Sequence, residues 1–132
     1  MSGPEQQAIA VAEAFLEAVS NRNLQRATAL TADDFNMVVS GGHQFDNLPS
    51  FVAYSGTRQK SVAKHTDRFE ALAAEDGVVV YCFGTMSGTW LDGSSYRNVR
   101  YIDRFLIRNG KISDMNVWSD MADFRPPDPP AS

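Results

Sequence analysis

The spacing of apolar residues predicts helices in the first third of the chain. Residues 4–22 read PEQQAIAVAEAFLEAVSNR, and their apolar positions recur at steps of three and four residues, which is the period of an amphipathic helix. The stripe consists of Ala8, Ala12, Phe15 and Val19. Pro4 suits the first helical position because that position needs no backbone N–H. Asn23 predicts the N-cap of a short second helix with the sequence LQRATALTA.

The middle of the chain alternates between strand and loop signals. FNMVVS, residues 35–40, is short, apolar and partly β-branched, which is typical of a buried strand. GGHQFDNLPS then predicts a loop, and LPSFVAYSGTRQ predicts a third short helix that ends near Gly56. Residues 62–74 fit two patterns, because a helical period is slightly favoured while Phe69, Ala71 and Ala73 alternate with charged residues as in a strand.

The last third of the chain predicts an antiparallel meander. GVVVYCFGTMSGTW and YRNVRYIDRFLIR read as strands joined by the hairpin LDGSS, and the dipeptide NG joins the second strand to a third with the sequence KISDMNVWSDMADF. Helices followed by a curled antiparallel sheet predict an α+β fold. We expect residues 1–132 to form a single domain whose residues 125–132 are a proline-rich tail.

Composition narrows the classes of partner. The 132 residues carry a net charge of −4 without a basic stripe, so we expect no nucleic-acid partner. No apolar run reaches the roughly 18 residues of a membrane helix, and the N-terminus lacks the pattern of a signal peptide, so we expect no membrane association. The single Cys82 excludes an internal disulfide and predicts a cytoplasmic location.

Asp103 is the carboxylate that does not fit its surroundings, because it interrupts an apolar strand. Strand parity predicts that Asp103 shares its face with four hydrophobic residues. These are Val99, Tyr101, Phe105 and Ile107. An apolar site would raise the pKa of Asp103 and make it a hydrogen-bond donor. The alternatives are a dimer interface or an ion pair with a nearby cation, namely Arg97, Arg100, Arg104, Arg108 or Lys111.

Few other residues are candidates for chemistry. His43 follows the predicted first strand and is either a base or a solvated loop residue. His65 and Asp67 offer two ligands without a third, so we expect no metal, and nothing indicates a cofactor. Tyr54 and Arg58 lie four residues apart on the predicted third helix, where Tyr54 is either a proton-transfer group or a half-buried ring with a solvated hydroxyl.

Three stretches of the sequence resemble the nuclear transport factor 2-like superfamily. These are AFLEAVSNRNLQRATALTADDF, YIDRFLIRNGKI and DMNVWSD. The superfamily includes ketosteroid isomerases, SnoaL-like polyketide cyclases and limonene epoxide hydrolases. The resemblance covers residues 5–124 and implies a cone-shaped curved antiparallel sheet wrapped around N-terminal helices, with a pocket at the wide end. It also implies that residues 62–74 are a strand and that two copies dimerise through the sheet.

The resemblance to ketosteroid isomerases carries over only in part. Asp103 matches the oxyanion-hole Asp of those enzymes, but Phe15 occupies the position of their Tyr and Val39 the position of their base. The epoxide hydrolase mechanism is not supported, because Val117 lies near the place where those enzymes need an Asp.

Two functions are therefore consistent with the sequence, and whether the chain is an enzyme stays open. The first is a SnoaL-like domain that binds an apolar, carbonyl-bearing small molecule, as an isomerase, cyclase or dehydratase. In that case Asp103 polarises the oxygen, and His43, His65 or Tyr54 moves protons. The second is a non-catalytic ligand-binding or dimerisation module. The predicted ligand-binding residues are Phe15, Tyr54, Arg58, Tyr81, Tyr101, Phe105, Met115 and Val117.

Overall fold

The computed structural model describes residues 3–125 and contains three helices and six strands within that range. The helices are α1 (Pro4–Ser20), α2 (Leu24–Ala29) and α3 (Leu48–Gly56). The strands are β1 (Thr31–Val38), β2 (Gln44–Phe45), β3 (Gln59–Ala74), β4 (Gly77–Trp90), β5 (Ser95–Arg108) and β6 (Lys111–Ser119), and a 3₁₀ turn (Met121–Asp123) follows. Apart from Arg125, the predicted proline-rich tail lies outside the described residues. Within residues 3–125, none of the helices has the length and apolarity needed to cross a membrane.

The three helices begin where the sequence predicts. Pro4 lies in the first turn of α1. The Asn23 side chain caps α2 by accepting a hydrogen bond from the Arg26 backbone N–H at 3.2 Å. In the same way, Asn47 accepts a hydrogen bond from the Ser50 N–H at 2.9 Å and fixes the start of α3. These caps satisfy N–H groups that have no partner inside the helix.

The strands form one curved sheet in the order β2-β1-β6-β5-β4-β3. Strands β3 to β6 are the predicted antiparallel meander. One feature differs from the prediction, because β1 pairs with β6 in parallel and the sheet is therefore mixed. The concave face of the sheet packs against α1, whose buried residues are Ala8, Ala12, Phe15 and Ala18. The predicted α+β class is confirmed.

Several predicted boundaries were wrong. The second helix ends at Ala29 rather than at Ala32, because β1 already begins at Thr31. The first strand begins at Thr31 rather than Phe35, because its early residues pair with the start of β6. The segment predicted as a loop contains the short strand β2. It pairs with β1, and Phe45 of β2 lies opposite Met37 of β1. The last strand ends at Ser119, and the residues after it form the 3₁₀ turn.

Residues 62–74 belong to a strand, as the family resemblance implied and against the slight preference for a helix. They form most of β3, which pairs with β4 along its whole length and lies at one edge of the sheet. An edge strand buries little, and Leu72 is 64% exposed. Apolar residues therefore do not alternate cleanly along β3, which explains why its periodicity was ambiguous. Charged side chains along β3 protect this edge against pairing with other chains.

One turn and one close approach depend on particular residues. Asn109 and Gly110 both adopt positive φ, at 52° and 74°, which is the turn that joins antiparallel strands with the correct twist. Gly84 on β4 faces the His65 carbonyl oxygen and the Tyr101 ring, and a Cβ at this position would lie 2.9 Å from the Tyr101 Oη. Gly84 therefore leaves the space that the Tyr101 hydroxyl occupies.

We expect Gly84→Ala to destabilise the protein by about 2 kcal/mol or more, since the added methyl group collides with backbone and with a buried ring. Gly56→Ala is the matched control, because a Cβ at Gly56 meets nothing within 4 Å. The control is expected to be neutral or to stabilise by up to about 1 kcal/mol. Urea denaturation followed by circular dichroism measures both changes, and equal effects of the two substitutions would contradict the close approach at Gly84.

Candidate functional site

A cavity of about 320 Å³ lies between the helices and the concave face of the sheet. Helix α1 contributes Phe15, Leu16 and Val19, and α3 contributes Leu48, Phe51 and Tyr54. The sheet contributes mainly apolar side chains, namely Met37, Val62, Met86, Trp90, Met115 and Val117. An apolar lining with a few polar groups around it is typical of small-molecule sites, in which the polar groups set the orientation of the ligand.

The strongest polar feature of the cavity is an ion pair between β3 and β5. Lys64 lines the cavity, and its Nζ donates a hydrogen bond to Oδ2 of Asp103 at 2.8 Å. The Asp103 side chain is fully buried, whereas that of Lys64 is 26% exposed. Asp103 shares its face with the predicted hydrophobic residues, but its partner is none of the five cations considered from the sequence. The Asp103 carboxylate is therefore fixed behind Lys64.

The environment of Asp103 favours its protonated form. Burial raises the pKa of Asp103, and the nearby Lys64 ammonium opposes that rise. Within residues 3–125, Oδ1 of Asp103 has no hydrogen-bond partner, so Lys64 compensates only one of the two oxygens. The charged form of Asp103 consequently depends on Lys64.

Neutral polar groups surround this pair. The Lys64 Nζ lies 4.6 Å from the centre of the Tyr101 ring, which places the cation over an aromatic face. The Tyr101 Oη lies 3.3 Å from Oγ1 of Thr66 and 3.5 Å from Sγ of Cys82. Burial raises the pKa of both Tyr101 and Cys82, so neither supplies a competing negative charge at neutral pH.

Three further polar residues lie at the more exposed side of the cavity. They are His43, Tyr54 and Arg58, and we call them the rim cluster. The rings of His43 and Tyr54 are 4.9 Å apart, and the Arg58 guanidinium lies 5.5 Å from the centre of the Tyr54 ring. His43 is exposed, while Tyr54 and Arg58 are half-buried. All three line the cavity, so the rim cluster brings together residues from the loop before β2 and from the end of α3.

The cavity also contains two hydroxyl groups that the sequence did not single out as candidates. The Oγ atoms of Ser40 and Ser119 are 2.8 Å apart, where the chain leaves the parallel strands β1 and β6. Both residues line the cavity. Their proximity depends on the parallel pairing of β1 with β6, which the sequence analysis did not predict.

The structure brings six of the predicted site residues to the cavity and separates five others from its lining. The six are Phe15, His43, Tyr54, Arg58, Met115 and Val117. Asp103, His65, Tyr81, Tyr101 and Phe105 are not among the described residues that line it.

Each of these five residues lies elsewhere for a definable reason. The side chain of His65 is 80% exposed and lies 3.5 Å from Asp67, beside the edge of the sheet. Tyr81 stacks on Phe83 on the convex face. Tyr101 and Phe105 have the predicted parity but are fully packed in the core, and Phe105 contacts Phe15 edge-on at 6.1 Å. Asp103 is covered by Lys64, so a direct contact of Asp103 with a ligand does not fit this arrangement.

The described residues offer no obvious metal site. Among residues 3–125, no three side chains of His, Cys, Asp or Glu are grouped closely enough to hold an ion. Val39, which the sequence resemblance matches to the base of ketosteroid isomerases, is buried and lines the cavity. Any proton acceptor must therefore come from another position, and His43 is the histidine that lines the cavity.

We expect Lys64→Met to destabilise the protein by about 3 kcal/mol at pH 8, because the substitution leaves a buried carboxylate unpaired. It removes the cation that lowers the pKa of Asp103, so the pKa in the folded state rises further above its unfolded value. The folded chain then retains a proton that the unfolded chain releases. The added instability therefore grows as the pH rises from 3.8, the ordinary pKa of an Asp side chain, towards the raised pKa of Asp103 in the folded chain.

Urea denaturation at pH 5 and pH 8 measures this effect. The double variant Lys64→Met/Asp103→Asn is the matched control, since it lacks the titrating group and is expected to lose the additional pH dependence. An equal loss of stability at both pH values in Lys64→Met alone would show that the ion pair does not govern this region.

Comparison with known proteins agrees with this architecture. The family model of the SnoaL-like domain matches residues 12–115. No curated protein sequence matches the chain. An NTF2-like protein of unknown function from Burkholderia pseudomallei is similar in structure, with a TM-score of 0.77 and 17% identity over 94% of this chain and 95% of that chain.

Two further solved structures are similar in fold. TerC, co-crystallised with polyporic acid, has a TM-score of 0.76 and 19% identity over 89% of this chain and 95% of its own. A proposed polyketide cyclase from Xanthomonas campestris has a TM-score of 0.69 and 15% identity over 93% of this chain and 97% of its own. At these identities the structures establish the fold alone. These structures show that the chain has the fold of NTF2-like proteins, and the family match shows that it belongs to the SnoaL-like domain family.

Proposed function

We propose that the cavity binds an apolar small molecule with a carbonyl oxygen, and that Lys64 donates a hydrogen bond to that oxygen. One observation carries this proposal: the Lys64 ammonium lines an apolar cavity while buried Asp103 holds it at 2.8 Å. A preorganised cation in a site of low dielectric stabilises negative charge that develops on oxygen. Lys64 thus takes the role that the sequence had suggested for Asp103, which becomes a positioning residue.

This arrangement suits reactions that pass through an enolate. A base removes a proton from the carbon beside the carbonyl, the C–H electron pair forms the enolate, and the Lys64 ammonium stabilises the enolate oxygen. His43 is the proposed base, because it lines the same cavity and an imidazole can accept a proton from carbon. Isomerisation, cyclisation and dehydration of a carbonyl compound all begin with this step.

A non-catalytic binding module is the second candidate, and one observation favours it. Phe15 and Val39 occupy the positions where ketosteroid isomerases have a hydroxyl group and a base, and both line the cavity. Neither side chain exchanges protons. In this case Lys64 orients a carbonyl-bearing ligand that leaves unchanged.

We also propose that two copies of the chain associate through the convex face of the sheet. Trp118 pairs across the strands with Ile102, which pairs with Phe83. Trp118 is 54% exposed and Ile102 38% exposed, so these neighbours present apolar surface to solvent. A contiguous exposed apolar patch of this kind is typical of an interaction surface.

Proton exchange on 2-tetralone tests the proposed chemistry, because this apolar bicyclic ketone has acidic protons beside its carbonyl group. In D₂O at pH 7, we expect the protein to accelerate loss of the α-proton NMR signal above the rate in buffer. We expect Lys64→Met to slow the protein-dependent exchange about 100-fold, since it removes the oxyanion donor, and His43→Gln to slow it to a similar extent.

Binding is measured separately by quenching of Trp90 fluorescence in a Trp118→Phe background, where Trp90 is the only remaining tryptophan. His65→Gln is the matched control for the exchange experiment, because His65 lies outside the cavity lining. With this variant, we expect the α-protons of 2-tetralone to exchange at the same rate as with the unsubstituted protein. Saturable quenching without exchange would support the binding module. The absence of saturable quenching would contradict a carbonyl-binding cavity.

For the dimer, we expect size-exclusion chromatography with light scattering to give the mass of two chains. Trp118→Glu is expected to give the mass of one chain, because a charge in the centre of an apolar interface cannot be solvated there. Leu91→Glu is the matched control, since Leu91 is 49% exposed but lies in the turn between β4 and β5. A dimer that persists in Trp118→Glu would argue against the convex face as the interface.

A further inference from the structure

The ionisable groups of the cavity lining are unevenly distributed in charge. Three cations line it, namely Lys64, Arg58 and Arg125. Among residues 3–125, no Asp or Glu belongs to the lining. The whole chain has the opposite balance, with 16 acidic and 12 basic residues. The cavity is thus a basic region in an acidic protein.

The cations of the cavity lining differ in whether a carboxylate of the protein already neutralises them. The charge of Lys64 faces the carboxyl group of Asp103 at 2.8 Å, so that pair is close to neutral. Arg58 has no carboxylate within ion-pair distance in the part of the chain that the structure describes, and its guanidinium instead lies over the Tyr54 ring at 5.5 Å. The uncompensated charge therefore lies on Arg58, in the rim cluster, and on Arg125, which is exposed.

We propose that the ligand is an organic acid whose anionic group binds Arg58 at the rim, while its apolar body fills the cavity and its carbonyl oxygen points to Lys64. This inference rests on the proposed function and adds the class of ligand to it. A carboxylate matches the planar donor fork of an arginine, and the Tyr54 ring already holds that fork in place.

The partial burial of Arg58 makes its contact with the ligand selective for an anionic group. Arg58 is half-buried, so a bound anion is shielded from solvent more than it would be on an open surface. A neutral ligand of the same shape covers the guanidinium without replacing its lost water contacts, which weakens its binding. A site built around a charged donor therefore discriminates more strongly against the neutral analogue than an apolar site does against a change in size.

Two fluorescent probes of matched shape test the inference. 8-Anilinonaphthalene-1-sulfonate carries an anionic group, and N-phenyl-1-naphthylamine is the same ring system without it. In the Trp118→Phe background, energy transfer from Trp90 reports binding of either probe in the cavity. We expect the sulfonate to bind about tenfold more tightly and to compete with the neutral probe for one site.

Variants of Arg58 test whether this residue causes the preference for the sulfonate over the neutral probe. Arg58→Gln is expected to weaken binding of the sulfonate about tenfold and to change binding of the neutral probe less than twofold, whereas Arg58→Lys should retain most of the preference. Arg26→Gln is the matched control, because it removes the same charge from the surface of α2 and should affect neither probe.

The outcomes separate this inference from the proposed function. Equal binding of both probes, or an equal loss of both in Arg58→Gln, overturns the organic-acid ligand and leaves carbonyl binding intact. Failure of both probes to receive energy from Trp90 overturns the organic-acid ligand, whereas the proposed carbonyl binding is judged separately by the quenching of Trp90 with 2-tetralone. A preference for the sulfonate that disappears in Arg58→Gln and returns in Arg58→Lys supports the inference.

Discussion

The ion pair between Lys64 and Asp103 constrains more of this structure than any other polar contact in the described residues. A fully buried carboxylate costs several kcal/mol unless a cation accompanies it, and the cation comes from a strand 39 residues earlier. Sliding β3 by one residue against β4 would turn Lys64 to the opposite face and bring Ala63 or His65 to its place. The polar pair therefore supports one register of an edge strand that has little burial of its own to specify it.

The same pair links the core to the cavity through Tyr101. The Tyr101 ring lies beneath the Lys64 ammonium, and its hydroxyl reaches β3 at Thr66 because Gly84 leaves room for it. A larger residue at position 84 would displace the ring, and a displaced ring would no longer support the cation. Packing, register and the electrostatics of the cavity are thus properties of one group of contacting residues on three adjacent strands.

The sequence predicted most helices and strands well, because the residues that indicate them lie close together in the chain. The cap at Asn23, the turn at Asn109–Gly110 and the parity of Asp103 each depend on a few neighbouring residues. The partner of Asp103 could not be read in this way, since Lys64 meets it only through the pairing of β3, β4 and β5. Tyr81 was assigned to the cavity although it lies on the convex face, because the sequence of β4 does not show which of its faces is concave. Tyr101 and Phe105 had the correct face, but parity does not distinguish a residue that lines a cavity from one packed in the core.

The partner of Asp103 also changes the chemistry that the cavity can offer. A lone protonated acid is a neutral donor, whereas a lysine held by a carboxyl group is a charge-assisted donor that belongs to a nearly neutral pair. Such a pair can polarise a carbonyl group in an apolar environment without carrying a large net charge there. The free charge of Arg58 lies instead over the Tyr54 ring in the rim cluster, which is closer to solvent, so desolvation costs less there. The proposed ligand matches this distribution of charge, because its anionic group lies near solvent at Arg58 and its carbonyl oxygen lies inside the cavity at Lys64.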